Sequence, residues 1–597
     1  MKVKRGIALV LVCCMVWVTA CGNGAGTQNS VTDTASGTDV TGSEEGVVGE
    51  AGTDVDGEGV SADADGVGDV DGSVGADGTG DVPDVTDVIP LRVIDDNYRT
   101  YYEVFVYSFY DSDGDGIGDL KGLTSKLDYI NDGDDSTDDD LGCNGIWLMP
   151  VNPSPTYHKY DVTDYYDIDP AYGTLNDFKE FLAACDERGI KVIMDLVLNH
   201  SSSEHPWFKE AASYLRDLGD GEPNVEECPY VDYYNFSKEP ATGYEKLPGA
   251  DWYYEARFWS GMPDLNLDSE VLRAEIKDIC KFWLDMGVGG FRLDAVKEYY
   301  TESIPDSVAF LSWLTDTVKE EKEDAYLVGE AWLDISSYSQ YYASGIDSLF
   351  DFAFAGAEGL ICKTLKGSST VRYGETVASL NETFGQYNEN YIDAPFYTNH
   401  DMARSSGYYV GEDSVSQVKM AAALNLFMNG SAFIYYGEEL GMKGSGKDEN
   451  KRAPMYWSQN ADMEGMCAGP ADMDDFEMKY ESLEEQAKDN DSIYHYYKKA
   501  IKIRNQNPEI ARGDVEYLSD VSNERFCVLK KTWEGSEVIL IFHTGAESGE
   551  LDLSSLTVNG EAIAADRICG DLETGEENST VIDGKAIMSG YSVLVLK

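Results

Sequence analysis

Basic residues are scarce in this chain. Its 597 residues include 45 lysines and arginines against 110 aspartates and glutamates, which gives a formal net charge of −65 at pH 7. Nucleic-acid binding needs basic patches that meet phosphate groups, so this charge excludes nucleic acid as a partner. Histidine is also rare, with only 6 residues. A histidine that falls inside a polar motif is therefore informative.

The N-terminal apolar run is too short to span a membrane comfortably. It covers residues 7–18, follows the basic segment MKVKRG and precedes the small residues V-T-A-C at 18–21. This order is typical of a signal peptide, which we assign to residues 1–20. V-T-A-C also resembles a bacterial lipobox. We therefore expect Cys21 to be lipidated and to hold the protein on the extracellular face of the cell membrane, with simple secretion as the alternative.

Lysine and arginine are absent altogether from residues 22–88, which consist mainly of Gly, Asp, Val, Thr and Ser. Such a segment has little to bury and repels itself, so residues 21–95 should form a disordered, extended tether. Its Asp-Gly pairs have no fixed period, which disfavours a calcium-binding repeat.

CxxC pairs are also missing. The eight cysteines beyond Cys21 show no metal-ligand spacing. In a domain of this size they need not form disulfides, and we interpret them as small buried hydrophobic residues.

Eight short apolar runs, separated by helix-like segments, follow the tether. They read YEVFVYSF, GIWLMPV, KVIMDLVLNH, GGFRLDAV, YLVGEAW, SLFDFAF, APFYTNHD and AFIYYGEE. Eight strands with intervening helices predict an α/β fold, the closed (β/α)8 TIM barrel.

Two further regions complete the predicted organisation. After the third strand, about sixty residues rich in Tyr, Trp, Pro and Gly precede the next helix, which is typical of a functional insertion. After residue 512, short runs such as VILIFHTG and YSVLVLK indicate a C-terminal antiparallel β-sandwich domain. We predict a catalytic barrel over 96–200 and 263–512, an insertion domain over 201–262 and a β domain over 513–597. We expect a monomer.

Polar residues follow the predicted strands at the end that carries the active site in such barrels. They occur as Asp195-x-x-x-Asn199-His200, Arg292-x-Asp294, Glu330 and Asn399-His400-Asp401. Each motif alone could be an ion pair that caps the barrel. Together, however, they supply the carboxylates that retaining glycoside hydrolysis needs, namely a nucleophile and an acid that becomes a base.

The segments DLVLNH, GFRLDAVKE, GEAW and TNHD resemble, in order and spacing, the conserved stretches of glycoside hydrolase family 13, the α-amylase family. The resemblance extends from the first predicted strand to the end of the chain. It implies that Asp294 is the nucleophile and Glu330 the general acid/base. Asp401 would grip sugar hydroxyls and stabilise the transition state.

The resemblance also implies a set of substrate-binding residues: Tyr160, His200, Arg292, Lys297, His400 and Arg404. Tyr160 would stack under the sugar at the cleavage point, and the two histidines would bond its hydroxyls. Arg292 would keep the nucleophile ionised, whereas Glu330 should stay protonated through desolvation and neighbouring carboxylates. Two positions depart from the family pattern. Lys159 stands where Gly is more common, and Glu298 replaces a histidine.

The segment MPDLN, which starts at Met262, resembles the family's fifth conserved region. Oligo-1,6-glucosidases typically read QPDLN there and neopullulanases MPKLN, and the hybrid resembles an intermediary group of α-amylases. We therefore expect hydrolysis of α-1,4 bonds in starch and maltodextrins. The alternatives are an α-1,6- or α-1,4-glucosidase of oligosaccharides, a neopullulanase or glucanotransferase, and a non-catalytic glycan-binding lipoprotein.

An acidic loop after the first strand predicts a structural calcium site. Its sequence, DSDGDGIGD, puts oxygen ligands at alternate positions with glycines that allow a tight turn, as hard cations prefer. The resemblance implies as ligands Asp111, Asp113, Asp115, Asp119 and the carbonyl of Ile117. An acidic turn without metal is the alternative. A second family calcium site would use Asn199 and Asp264, and its occupancy is left open.

Overall fold

The computed structural model describes residues 96–597, except residues 135, 302, 368, 576 and 577. The predicted signal peptide, the predicted lipidation site Cys21 and the predicted tether lie outside the described residues. Within the described part of the chain, no helix is both long enough and apolar enough to cross a membrane.

Three parallel strands and the helices between them begin the fold. They are β1 (Thr100–Val104), α1 (Leu120–Ser125), α2 (Leu127–Ile130), β2 (Gly145–Leu148), α3 (Leu175–Glu187) and β3 (Lys191–Leu196). The three strands are almost entirely buried, as strands with both faces covered must be. The start of α3 is fixed by a capping box, in which Thr174 and Asp177 satisfy each other's backbone N–H groups.

Residues 201–262 leave the barrel after β3. They contain α4 (Pro206–Leu218) and an antiparallel sheet of order β4-β6-β5, formed by β4 (Phe236–Ser237), β5 (Tyr244–Lys246) and β6 (Tyr253–Glu255). We expected no helix within this insertion, and the presence of α4 corrects that expectation. His205 caps it, Pro206 occupies its first turn and one face is buried, so the local signals for a helix are present among the surrounding aromatic and turn residues.

Five further parallel strands complete the barrel, together with the remaining helices. In chain order these elements are α5 (Glu270–Met286), β7 (Gly290–Leu293), α6 (Ile304–Glu321), β8 (Tyr326–Gly329), α7 (Ile335–Tyr338), β9 (Ser348–Phe350), α8 (Leu360–Leu365), α9 (Thr370–Gly385), β10 (Ile392–Ala394), α10 (Ser414–Leu426), β11 (Ala432–Tyr435), α11 (Asp448–Lys451), α12 (Leu483–Gln486), α13 (Ile493–Gln506) and α14 (Pro508–Arg512). Short 3₁₀ helices lie at Val106–Ser108, Pro229–Asp232, Val296–Glu298, Ser339–Ser344, Ser405–Tyr408 and Glu438–Leu440.

The eight strands form one parallel sheet of order β10-β9-β8-β7-β3-β2-β1-β11. A bridge between Phe396 and Phe433 joins its two edges, so the predicted (β/α)8 barrel is confirmed. The seventh strand ends at Ala394, where the predicted run APFYTNHD begins. Pro395 has no backbone N–H to donate to the neighbouring strand. The strand therefore ends before Pro395 instead of starting there.

Aromatic side chains fill the barrel interior. Tyr101 stacks on Tyr326 and on Phe433, with ring centroids 5.3 and 4.9 Å apart. Trp147 lies above this layer and packs against Phe350. A rigid apolar interior of this kind supports the polar residues at the carboxyl ends of the strands.

The C-terminal residues form an antiparallel β domain, as predicted. Its strands are β12 (Asp514–Tyr517), β13 (Phe526–Trp533), β14 (Ser536–His543), β15 (Gly549–Asp552), β16 (Thr557–Val558), β17 (Glu561–Ala562), β18 (Ile568–Leu572), β19 (Thr580–Ile582), β20 (Lys585–Met588) and β21 (Ser592–Leu596). A five-stranded sheet of order β12-β13-β14-β21-β18 faces a three-stranded sheet of order β15-β20-β19 across a separate apolar core. Lys531 links the domain to the barrel, because its buried ammonium donates to the carbonyls of Phe427 and Ile510.

Candidate active site

A single guanidinium group organises the carboxylates at the carboxyl end of the barrel. Arg292, on β7, is fully buried, and its Nη1 lies 2.8 Å from Asp195 Oδ1 and 2.6 Å from Asp294 Oδ1. Its Nη2 lies 2.9 Å from Glu330 Oε2. The rigid fork of a guanidinium suits such multiple contacts. The structure therefore brings together the nucleophile and the acid/base implied by the sequence, and it adds Asp195.

Glu330 has the environment of an acid that keeps its proton. Burial raises the pKa of its carboxyl group, the negative charges of Asp294 and Asp401 raise it further, and Arg292 opposes them. The backbone N–H of Ala295, a residue with a positive φ of 46°, donates to Glu330 Oε2 at 3.0 Å. A non-glycine residue held in that region is strained, and such strain is common where geometry serves a site. This environment suits the role of general acid that the resemblance implies for Glu330.

Asp401 has the opposite environment. Burial would raise the pKa of its carboxyl group, but His400, Arg452 and Arg292 outweigh burial and hold that pKa well below its usual range. Arg452 Nη2 lies 2.9 Å from Asp401 Oδ1, and Arg452 Nη1 donates to the hydroxyl of Tyr157 at 2.9 Å. Asp401 is thus an ionised acceptor at the edge of the cluster, with its side chain about a third exposed (35%).

His400 lies behind Asp401 with both ring nitrogens in contact with protein. Its Nδ1 is 2.6 Å from Glu103 Oε1, and its Nε2 is 3.1 Å from Asp401 Oδ2 and 2.8 Å from the Tyr160 hydroxyl. Burial lowers the pKa of the imidazole, but the two carboxylates raise it to about 9 overall. Both nitrogens therefore hold neighbouring side chains in place, and the predicted contact of His400 with a sugar hydroxyl stays a prediction.

Tyr160 forms a flat surface beside the carboxylates. Its ring stacks on His400 at 5.4 Å, and its hydroxyl donates to Asp195 Oδ2 at 3.0 Å. The preceding residue, Lys159, has a φ of 66°, which explains why glycine is common there. Lys159 is nevertheless buried, and its ammonium lies 2.6 Å from Asp169 Oδ2, so an ion pair holds the loop that carries Tyr160.

His200 offers a polar atom to the site. It is 2% exposed, burial lowers the pKa of its imidazole, and Phe258 packs edge-on at 5.2 Å. Its Nε2 has no hydrogen-bond partner among the described residues. Buried polar atoms normally have a partner. A ligand hydroxyl would supply one.

The remaining two predicted substrate contacts are Lys297 and Arg404. Lys297 is partly exposed, with its ammonium 3.3 Å from Glu298. Arg404 is only 2% exposed and donates to the backbone carbonyls of Lys451 and Tyr436 at 2.9 and 2.6 Å. The structure therefore does not bring Arg404 into the carboxylate cluster. Its Nε and Nη1 bond the chain that follows β11, whereas its Nη2 has no hydrogen-bond partner among the described residues, so its assignment as a substrate-binding residue stays a prediction.

The acidic loop gathers three of its predicted ligands. Carboxylate oxygens of Asp111, Asp113 and Asp115 all lie within 4.8 Å of one another. Asp119 is engaged locally, because its carboxylate accepts from Ser112 and from the Gly122 N–H at the start of α1. Ile117 follows Asp115 and donates its N–H to that carboxylate at 2.7 Å. A set of oxygen donors of this kind fits calcium.

The residues of the possible second metal site are also adjacent. Asn199 Nδ2 donates to Asp264 Oδ1 at 3.3 Å beside a cavity of about 360 Å³. Burial and the charge of Glu255 raise the pKa of Asp264 to about 7. Arg257 pairs with Glu255 at 2.8 Å in the same cavity and supplies a positive charge there.

Comparisons with known proteins agree with this geometry. Residues 103–513 match the family model described as "Alpha amylase, catalytic domain". The chain is 38% identical over 465 residues to Alpha-amylase 3 of Dictyoglomus thermophilum, covering 74% of this chain and 84% of that protein. It is 30% identical over 498 residues to the glucan 1,6-alpha-glucosidase of Streptococcus pneumoniae, covering 72% and 88%.

Solved structures extend the comparison. Eubacterium rectale Amy13B superposes with a TM-score of 0.81 at 50% sequence identity, over 84% of this chain and 96% of that chain. An alpha-amylase from H. orenii superposes with a TM-score of 0.72 at 34% identity, over 84% and 99%. The fold, the carboxylates gathered around Arg292 and these similarities lead to one conclusion: the chain belongs to the α-amylase family, glycoside hydrolase family 13.

Proposed function

We propose that this protein is an extracellular α-amylase-type hydrolase that cleaves α-1,4-glucosidic bonds of starch and maltodextrins with retention of configuration. Asp294 attacks the anomeric carbon. Glu330 first protonates the departing oxygen and then, as a base, activates water to release the sugar from Asp294. Asp401 holds sugar hydroxyls, and the interaction strengthens as the ring distorts towards the transition state.

One observation carries this proposal. The same buried guanidinium of Arg292 touches both Asp294 and Glu330, yet burial and neighbouring charges raise the pKa of Glu330. A retaining double displacement needs one ionised and one protonated carboxyl group at the same site, and these surroundings support both states.

The choice of α-1,4 bonds is supported by MPDLN at 262–266 and by the two similarities to proteins named as α-amylases, at 38% and 34% identity. The similarity to a glucan 1,6-alpha-glucosidase keeps α-1,6 cleavage as the second candidate. Product analysis on soluble starch, pullulan, maltotriose and isomaltose separates the two. Hydrolysis of starch without hydrolysis of isomaltose supports the proposal, and the reverse pattern contradicts it.

The catalytic assignment is tested with Asp294→Ala and Glu330→Gln. Both variants should lose starch hydrolysis while they keep the melting temperature of the parent to within a few degrees. Asp128→Asn is the matched control, because Asp128 forms an exposed ion pair with Arg188. Full activity in the Asp294→Ala protein would contradict the mechanism.

We also propose that the acidic loop binds a structural calcium ion. Asp111, Asp113 and Asp115 would hold it through their carboxylates, and Ile117 and Asp119 would complete the set. A bound calcium ion would supply positive charge that offsets the repulsion among these groups. The loop joins β1 to α1, so the ion would stabilise the barrel without taking part in bond cleavage.

We propose that Cys21 is lipidated and that residues 21–95 tether the enzyme outside the cell. The support is the signal-like N-terminus and the composition of the tether. Cys21→Ala should release the protein into the medium or leave it unprocessed. Membrane association of that variant at the mature size of the parent would contradict the lipidation.

A further inference from the structure

Glu103 is a buried acid that no sequence motif singles out. It lies on β1 inside the barrel and is 1% exposed. Its carboxylate contacts His400 Nδ1 at 2.6 Å. A buried carboxylate is costly unless it is paired. The fold therefore keeps Glu103 beside His400 against a considerable desolvation cost.

The hydrogen bonds around His400 have a defined direction. Asp401 is ionised and can only accept, so the His400 Nε2 that lies 3.1 Å away must carry a proton. The hydroxyl of Tyr160 gives its proton to Asp195 and therefore also accepts from Nε2. Nε2 of His400 therefore donates its N–H to Asp401 and to the Tyr160 hydroxyl.

The other nitrogen faces a second carboxylate. A neutral imidazole has one N–H and cannot donate to Asp401 and to Glu103 at the same time. A protonated imidazole donates to both. His400 is faced by the following titratable groups: Glu103 from β1, Tyr160 from the loop after β2, Asp195 from β3 and Asp401 from its own loop. The carboxylates of Asp401 and Glu103 favour the charged imidazole, and burial opposes it.

We propose that Glu103 is a positioning residue for the hydrolysis assigned above, and the inference rests on that proposed function. Glu103 holds His400 as an imidazolium, so that Nε2–H points at Asp401 and at Tyr160. Asp401 then stays ionised and oriented towards sugar hydroxyls, and the Tyr160 ring stays under the sugar. Glu103 contacts no reacting atom and acts only through His400.

The experiment uses Glu103→Gln, which keeps the shape of the side chain and removes its charge, and Glu103→Asp, which keeps the charge. Because the chain has only 6 histidines, NMR of ¹⁵N-histidine-labelled protein can follow each ring, and His400→Asn identifies the His400 signals. Glu439→Gln is the matched control. Glu439 is a buried acid bonded to Tyr102 and Tyr129, away from His400.

In the parent protein, His400 should remain charged through pH 8. Glu103→Gln should lower the pH midpoint of the His400 titration by more than about one pH unit. It should also lower kcat on maltoheptaose at least tenfold, with a smaller change in KM and little change in melting temperature. Glu103→Asp should recover part of both losses, and Glu439→Gln should leave the His400 titration unchanged.

Two results would overturn the proposal. One is a parent His400 that titrates at or below the ordinary histidine range. The other is a Glu103→Gln protein whose His400 titration and kcat match the parent. The NMR measurement needs no substrate. If the parent hydrolyses no α-glucan, the proposed function fails, while the titration still decides whether Glu103 keeps His400 charged.

Discussion

Arg452 gives the sharpest quantitative expectation for the site. Its Nη2 contacts Asp401 Oδ1 at 2.9 Å, and its side chain is 4% exposed. A hydrogen bond to a charged group contributes about 1.5–3 kcal/mol. Because the Asp401 side chain is 35% exposed, solvent screening moves this contribution to the lower end of the range. A loss of about 1.4 kcal/mol corresponds to about a tenfold loss of rate.

Arg452→Gln should therefore reduce kcat/KM on maltoheptaose about tenfold if Asp401 acts in the transition state. Arg452→Lys should lie between this variant and the parent, because it keeps a charge but loses the contact to Tyr157. Arg188→Gln is the control, since Arg188 pairs with Asp128 at the surface. Steady-state kinetics with a melting curve for each protein make the comparison. A folded Arg452→Gln protein within twofold of the parent would refute the role given to this contact.

Three further outcomes test the structure more widely. Chelation of calcium should lower the melting temperature, and Asp113→Ala should reduce that response; an unchanged melting curve at verified metal depletion would contradict the calcium site. Asp169→Asn should lower the free energy of unfolding by about 3–5 kcal/mol, because it leaves the buried ammonium of Lys159 unpaired, whereas Asp128→Asn should change it little in urea unfolding. Burial raises the pKa of Glu438 to about 8, so the folded protein keeps this proton above the ordinary glutamate range. The contribution of protonated Glu438 to the free energy of unfolding is complete at acidic pH and is lost as the pH rises towards 8. The free energy of unfolding of the parent should therefore fall as the pH rises to 8. It should fall less in Glu438→Gln. A pH dependence equal in parent and variant would contradict the shifted pKa.

The barrel and the meeting of its three motif carboxylates could be predicted because their signals are local. A buried parallel strand is a continuous apolar run, and Asp294, Glu330 and Asp401 stand directly after such runs. Their meeting follows from the topology of a closed barrel. The antiparallel character of the C-terminal domain was predictable for the same reason, from short alternating runs between turns.

The groups that tune the carboxylates could not be predicted in this way. Arg452 reaches Asp401 from the segment after β11, and Glu103 reaches His400 from inside β1, so only the folded chain places them together. Arg404 stands close to Asp401 in sequence, yet its guanidinium serves backbone carbonyls instead. Lys159 illustrates the same limit, because its positive φ and its buried partner Asp169 depend on the path of the loop.

The stereochemistry of the first product tests the central claim most directly. Proton NMR spectra recorded during the first turnovers of maltoheptaose resolve the α- and β-anomers before mutarotation mixes them. If Asp294 forms a covalent glycosyl intermediate that Glu330 then helps to hydrolyse, two inversions occur and the α-anomer appears first. A β-anomer that appears first would contradict the double displacement and the roles given to both residues.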